Sequence, residues 1–177
     1  MILPRQKIYK LDFFLLIKSL INFDLFKNKN LLQKKLETKI SKFTKIKFCT
    51  LVPRGRVGLK IILNLIKKKN LNKSNVLMSP FTIFDVVNMV ISENLKPQFI
   101  DINKTDYSIN LEKLKKKINK KTLAIILTHY HIEPLEYKKI VNFCKIKKIF
   151  LIEDRAIAFR KTIKKEELNK NHFIFFS

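Results

Sequence analysis

The sequence predicts an α/β fold, a mostly parallel sheet with helices on both faces. Three observations carry this. Apolar runs of strand length at residues 75–79, 98–102, 123–128 and 149–152 alternate with amphipathic segments of helix length, the pattern of parallel strands joined by helical crossovers. The run 149–152 contains no polar residue, as expected of a strand covered on both faces. No internal repeat or low-complexity linker divides the alternation, and the chain is long enough to bury a sizeable core.

Taken in order, residues 1–44 read as a peripheral, mostly helical lead-in. Leu11, Phe14, Leu15, Leu20 and Ile21 give one helix an imperfect apolar side, and residues 31–40 supply a second. Residues 46–52 alternate as a strand does. Residues 53–59 then make a turn, and residues 60–69 form an amphipathic helix with Ile62, Leu65 and Ile66 inward. The only two glycines of the chain, Gly55 and Gly58, fall in that turn. Glycine permits positive φ or a close backbone approach, and a helix N-terminus offers free N–H groups to an anion. A tight turn without a ligand accounts for the pair equally well.

A strand at 75–79 ends at Pro80, and a helix at 82–93 buries Phe84, Val87, Val90 and Ile91. Asn94 stands where a left-handed C-terminal cap belongs. After the strand 98–102, residues 103–106 have turn chemistry, and Asn110 caps a helix at 111–118. The strand 123–128 runs into His129, Tyr130, His131, Ile132, Glu133 and Pro134, then a helix at 135–147, the strand 149–152 and, last, an apolar run at 172–177.

A formal net charge of +24 invites a nucleic-acid reading. The basic residues are nearly all lysine, however, and come with abundant Ile, Asn and Phe and scarce Gly. AT-rich codons produce that joint bias, so compositional drift is the favoured source of the charge, which bears on solubility and not on fold. No helix-turn-helix, zinc finger or RNA-binding signature is present, so no specific nucleic acid is expected. Cys49 and Cys144 are far apart in sequence and read as reduced core thiols of a cytoplasmic protein. Asp12 and Lys18 interrupt the apolar stretch 11–23, which also lacks a small-residue cleavage site, so it reads as neither signal peptide nor membrane span.

Chemistry concentrates at the end of the strand 149–152, where Glu153 and Asp154 follow the apolar run. Ligands bind at the carboxyl ends of strands in open α/β sheets, and a buried carboxylate needs a partner. Asp154 either caps a turn, pairs with Arg155 or Arg160, or faces a ligand. His129 and His131 fit neither a helical metal pair nor a Cys/His cluster, and each reads as a polar loop histidine. Glu133 and Glu153 are a possible carboxylate pair of unfixed separation, which gives a hydrolase little weight.

Five blocks in order carry a resemblance: Arg-Gly-Arg-Val-Gly-Leu at 54–59, Val-Leu-Met-Ser-Pro-Phe-Thr at 76–82, Lys-Pro-Gln-Phe-Ile-Asp-Ile at 96–102, Thr-His-Tyr at 128–130 and Ile-Glu-Asp-Arg-Ala at 152–156. From about Lys45 to Ser177 the chain resembles the DegT/DnrJ/StrS-type sugar aminotransferases, pyridoxal-phosphate enzymes of the aspartate-aminotransferase fold. The resemblance implies amino transfer to a nucleotide-linked keto-sugar, usually from glutamate, by a homodimer. It places Asp154 on the aspartate that pairs with the pyridine nitrogen and keeps it protonated, so that the ring acts as an electron sink. It places Gly55, Arg56 and Val57 on the turn that holds the cofactor phosphate, and Ser177 on a serine that also reaches it.

Other positions depart from the family pattern. Ile83 occupies the place of an aromatic that stacks on the ring, and Ile157 replaces a Gln or His that contacts the cofactor. Ile132 stands for a Gly and Arg54 for a small residue. Together these changes imply relaxed selection. The family's Schiff-base lysine falls a few residues beyond Ser177, and Lys161, Lys164 and Lys165 come too early. Residues 45–177 are therefore expected to form an incomplete large domain, without the C-terminal small domain, without a catalytic residue and without a sheet neighbour for residues 46–52. Such a chain is expected to be inactive alone unless a second polypeptide supplies the missing half. The alternatives are a non-catalytic basic protein that binds nucleic acid or anionic surfaces, and the product of a decaying reading frame.

Overall fold

Five strands form one sheet in the computed structural model of the chain, which describes residues 29–130, 133–158 and 170–176. They are β1 (Asn75–Met78), β2 (Lys96–Phe99), β3 (Thr122–Thr128), β4 (Phe150–Asp154) and β5 (His172–Phe175), in the order β2-β1-β3-β4-β5. Every pairing is parallel, so the expected mostly parallel sheet is all-parallel among the described residues. The helices are α1 (Lys29–Thr44), α2 (Gly55–Lys68), α3 (Phe84–Ser92), α4 (Leu111–Lys117) and α5 (Tyr137–Lys147). The apolar stretch 11–23 and His131, Ile132, Arg160, Lys161, Lys164, Lys165 and Ser177 lie outside the described residues.

Strand side chains alternate between two cores. Leu77, Ile125, Leu127 and Leu151 pack with Leu114 of α4 and with Ile140, Val141 and Cys144 of α5. Val76, Met78, Ile126 and Ile152 pack with Leu59, Leu63 and Ile66 of α2 and with Val86 and Val90 of α3. Each fully buried Leu or Ile contributes about 1.5–3 kcal/mol over its exposed state, so helices on both faces are required to cover a sheet this apolar. Pro97, which has no N–H to give, sits on the edge strand β2.

The local signals at helix ends act as the sequence predicts. The Lys113 N–H donates to Asn110 Oδ1 at 2.9 Å, capping α4. Asn94 is left-handed (φ 53°), and behind it the Leu95 N–H closes on the Val90 carbonyl at 3.1 Å. Lys148 takes the same conformation after α5 (φ 54°), although a side chain there costs about 1–2 kcal/mol that glycine avoids. Cys144 is a buried free thiol pushed up to about 12 by burial, whereas Cys49, expected in the core, is only half-buried on an irregular segment.

Five further expectations are corrected. The strand expected at 98–102 runs from Lys96 to Phe99. Residues 46–52 do not form a strand. A strand needs a neighbour to take its backbone groups, and here α1 side chains take two of them instead: Ser41 Oγ donates to the Ile46 carbonyl, and the Leu51 N–H donates to Glu37 Oε1 at 2.9 Å. Helix α2 starts at Gly55 and not at Lys60, because the Arg54 carbonyl already accepts from the Val57 and Gly58 amides at 3.0 and 3.3 Å. Its inward stripe is then Leu59, Leu63 and Ile66, which leaves Leu65 exposed. In α3 the pair Val86 and Val90 faces the sheet, while Phe84, the first residue of the helix, and Ile91 are exposed. Helix α5 starts at Tyr137 and not at residue 135, where the Tyr137 N–H closes on the Pro134 carbonyl at 3.0 Å.

Neither glycine has a positive φ. A Cβ at Gly58 would lie 3.3 Å from Val52 Cγ2 and 4.0 Å from Phe175 Cβ, so close approach of α2 to its neighbours is the reason for glycine there. No helix among the described residues is long and apolar enough to cross a membrane.

Candidate functional site

The chain passes from β1 to β2 on one side of the sheet and returns to β3 on the other, so the strand order reverses at the carboxyl ends of β1 and β3. Ligands of open α/β sheets bind at such a switch point. Ser79 and Phe81 lie there beyond β1, and His129 and Tyr130 beyond β3. The Tyr130 hydroxyl donates to the Phe81 carbonyl, and the Phe81 ring lies 5.1 Å from that of Tyr130 and 6.0 Å from that of Tyr107. Burial and the charge of Asp154 raise the Tyr130 phenol, against a hydrogen bond with Ser79.

Asp154 ends β4 at the same rim, paired in register with Thr128 and Phe175. Strand alternation puts its side chain on the α2/α3 face with Ile152. It is 5% exposed, and its Oδ1 accepts the Ala156 N–H at 3.1 Å. Of the alternatives read from sequence, the turn cap is thus formed, and Arg155 turns to Glu153 instead. Among the described residues no cation pairs with Asp154. Burial holds its carboxyl above the usual range, against the Ala156 hydrogen bond and the electrostatic effect of His129. The hydroxyls of Thr128 and Thr82 are also buried without a hydrogen-bond partner. Three polar groups near this rim are therefore under-used, an unusual state for buried polar atoms.

The N-terminus of α2 lies at this end of the sheet, since Gly58 packs toward Phe175 at the end of β5. Gly55, Arg56 and Val57 form its first turn, and Arg54 gives no side-chain cap. Arg56 Nη1 is 3.0 Å from Asp85 Oδ2 on α3, a half-exposed pair worth about 0–1 kcal/mol. Ile83, which precedes α3, is 63% exposed, and Ile157 is 57% exposed.

The opposite face of β4 holds a cluster that the sequence reading missed. Glu153 is fully buried. Tyr137 Oη donates to its Oε1 at 2.9 Å, and Arg155 Nε donates to its Oε2 at 2.7 Å. His129 Nε2 lies 2.7 Å from Oε2, close but poorly aligned for a hydrogen bond, and His172 Nε2 contacts Oε1. Burial alone raises the Glu153 carboxyl, but contacts with His129 and His172 more than offset it and hold the group well below the usual carboxylate range. His129 is therefore a buried partner of Glu153 and not a polar loop residue. Glu133 is exposed and is not among the partners of Glu153. A usable signal did exist: Leu127 and His129, Glu153 and Arg155, and His172 and Ile174 share one face of three neighbouring strands through the two-residue period.

The model of the DegT/DnrJ/EryC1/StrS aminotransferase family matches residues 16–172. An uncharacterised protein of Methanocaldococcus jannaschii is 33% identical over 96 residues, 54% of this chain and 25% of that one. GDP-perosamine synthase of Vibrio cholerae is 28% identical over 124 residues, 70% of this chain and 33% of that one. The chain thus spans a quarter to a third of the length of these relatives. Among solved structures, Helicobacter pylori PseC, an aminotransferase involved in the biosynthesis of pseudoaminic acid, overlays with a TM-score of 0.68 at 20% identity, covering 75% of this chain and 36% of that one. E. coli GDP-4-keto-6-deoxy-D-mannose-3-dehydratase with bound hydrated PLP overlays with a TM-score of 0.65 at 21% identity, covering 75% and 35%. Such likenesses establish the fold, and the family match, which runs across nearly the whole sequence, establishes the rest: this chain belongs to the DegT/DnrJ/EryC1/StrS aminotransferase family.

Proposed function

We propose that the chain forms the ring-nitrogen and phosphate-holding part of a pyridoxal-phosphate-dependent aminotransferase that acts on a nucleotide-linked keto-sugar, with an amino acid such as glutamate as donor. The observation that carries this reading is Asp154, a buried carboxylate at the strand-end rim with no cationic partner among the described residues. A protonated pyridine nitrogen is a cation of the right kind to pair with it. The rest of the rim fits the same group: the first turn of α2 has no side-chain cap, and the Thr82 and Thr128 hydroxyls are unspent.

Bound there, pyridoxal phosphate supplies an electron sink for amino-group transfer. Asp154 holds a proton at the ring nitrogen. The amides of Gly55 and Arg56 would donate to the phosphate at the positive end of the α2 dipole, Val57 would complete that turn with its own amide held by the Arg54 carbonyl, and Ser177 would add a hydroxyl. Ile83 and Ile157 would offer the ring neither aromatic stacking nor a hydrogen bond. The sugar-nucleotide substrate follows from what the relatives are called, GDP-perosamine synthase among them. A homodimer, or a second polypeptide that completes the site, belongs to the same proposal.

The test is binding of pyridoxamine 5′-phosphate to the full chain by equilibrium dialysis. The amine form is used because the aldehyde condenses with surface lysines. D154N is expected to bind at least about tenfold more weakly, the scale of one charge-assisted hydrogen bond. Equal binding by the two proteins overturns the reading.

A further inference from the structure

Glu153 takes no part in holding the cofactor in the reading above, yet four side chains converge on it from four segments: Tyr137 at the start of α5, His129 after β3, Arg155 after β4 and His172 at the start of β5. An ionised carboxylate has about four acceptor sites, and each of these segments brings one partner to it. Arg155 alone neutralises its charge. What the arrangement adds is constraint on the residue between Glu153 and Arg155, which is Asp154.

The constraint acts from three directions. The Arg155 Nε–Glu153 Oε2 hydrogen bond of 2.7 Å joins both chain neighbours of Asp154 on the α4/α5 face, so alternation drives the Asp154 side chain to the other face. The His129 ring packs against Glu153, with Nε2 2.7 Å from Oε2, while its backbone N–H donates to the Asp154 carbonyl at 2.9 Å. On the far side the Arg155 N–H donates to the Phe175 carbonyl at 3.0 Å, and His172 ties the start of that same strand back to Glu153. A one-residue slip of β4 would exchange the two carboxylates between faces. The cluster opposes that slip, because the carboxylate brought onto the α4/α5 face would have to replace Glu153 among these donors.

We propose that Glu153 is a positioning residue: with His129, His172, Arg155 and Tyr137 it clamps the ends of β3, β4 and β5 on one face of the sheet and so fixes the direction of Asp154 on the other. This rests on the reading of Asp154 as the partner of the ring nitrogen.

The experiment compares two ligands on the full chain, pyridoxamine 5′-phosphate and its 1-deaza analogue, in which CH replaces the ring nitrogen. Wild type is expected to prefer the nitrogen-containing ring by about tenfold, and D154N to lose the preference. E153Q is expected to lose most of the preference while its affinity for the deaza ring changes less than about threefold. A purely architectural Glu153 predicts that E153Q weakens both ligands alike and leaves the ratio intact, which overturns the inference. Absence of any preference in wild type overturns the underlying reading instead. If E153Q does not fold by circular dichroism, Tyr137→Phe keeps the charge and removes one donor. It is then expected to lower the preference by about two- to threefold, and an unchanged ratio overturns the inference.

Discussion

Glu153 and Asp154 are neighbours in the chain, both deeply buried and chemically alike, yet they end in opposite states. Glu153 faces α5 and is surrounded by Tyr137, Arg155, His129 and His172, with its carboxyl held low. Asp154 faces α2 and α3, accepts the Ala156 N–H, lacks a cation among the described residues and has its carboxyl held high. Burial acts on both in the same direction, so the donors decide the outcome. A carboxylate whose partners are all supplied by the fold serves the fold. One left short of a partner has interaction energy to offer a ligand.

The strongest way to break this comparison is to remove the satisfied member. Glu153→Ala leaves the Arg155 guanidinium buried without its carboxylate, and a loss of about 3–5 kcal/mol is expected in urea unfolding. A loss under about 1 kcal/mol, no more than one ordinary hydrogen bond, means that Glu153 is not the centre of the cluster.

The pH dependence of stability separates the two groups by sign. The folded carboxyl of Glu153 lies below its unfolded value. Its contribution is present above the unfolded pKa of about 4.3 and is lost as pH falls through the folded value. Asp154 is the reverse: its contribution is present below about 3.9 and is lost as pH rises through its raised folded value. D154N, which keeps an acceptor for the Ala156 N–H, is therefore expected to stabilise the ligand-free chain at pH 7 and to give no gain in strong acid. Thermal melts at both pH values read this directly, and a destabilised D154N at pH 7 contradicts the account. The smallest expected effect is Tyr137→Phe, which removes one of the donors to Glu153 at a cost of about 1 kcal/mol in urea unfolding. No measurable change would show that the 2.9 Å contact adds little to the cluster.

Much of the fold was legible because its signals are local. The apolar runs became β1, β3 and β4, and Asn110 and Asn94 capped α4 and α3 as their chemistry requires. Residues 46–52 misled because alternation describes a strand's faces but says nothing of whether a neighbour is present to accept its hydrogen bonds. Phe84 and Ile91 misled for a related reason. Apolarity marks them for burial, but the rotation of α3 is set by Val86 and Val90 against the sheet. At the site, Asp154 and the first turn of α2 were legible from motif and position. His129 was not, because its role depends on Glu153, His172 and Tyr137, which lie between 8 and 43 residues from it along the chain.

By itself the sequence determined the alternation of strands and helices from residue 75 onward and that two carboxylates close β4, because side-chain period, turn residues and apolar runs act over a few neighbouring positions. Only the tertiary structure decided which carboxylate is spent. Parallel pairing in register carries His129 and His172 to Glu153 on one face and leaves Asp154 beside an unpartnered Thr128 on the other. The state of a buried charge is set by whatever the fold brings within a few ångströms of it, whatever the distance along the chain.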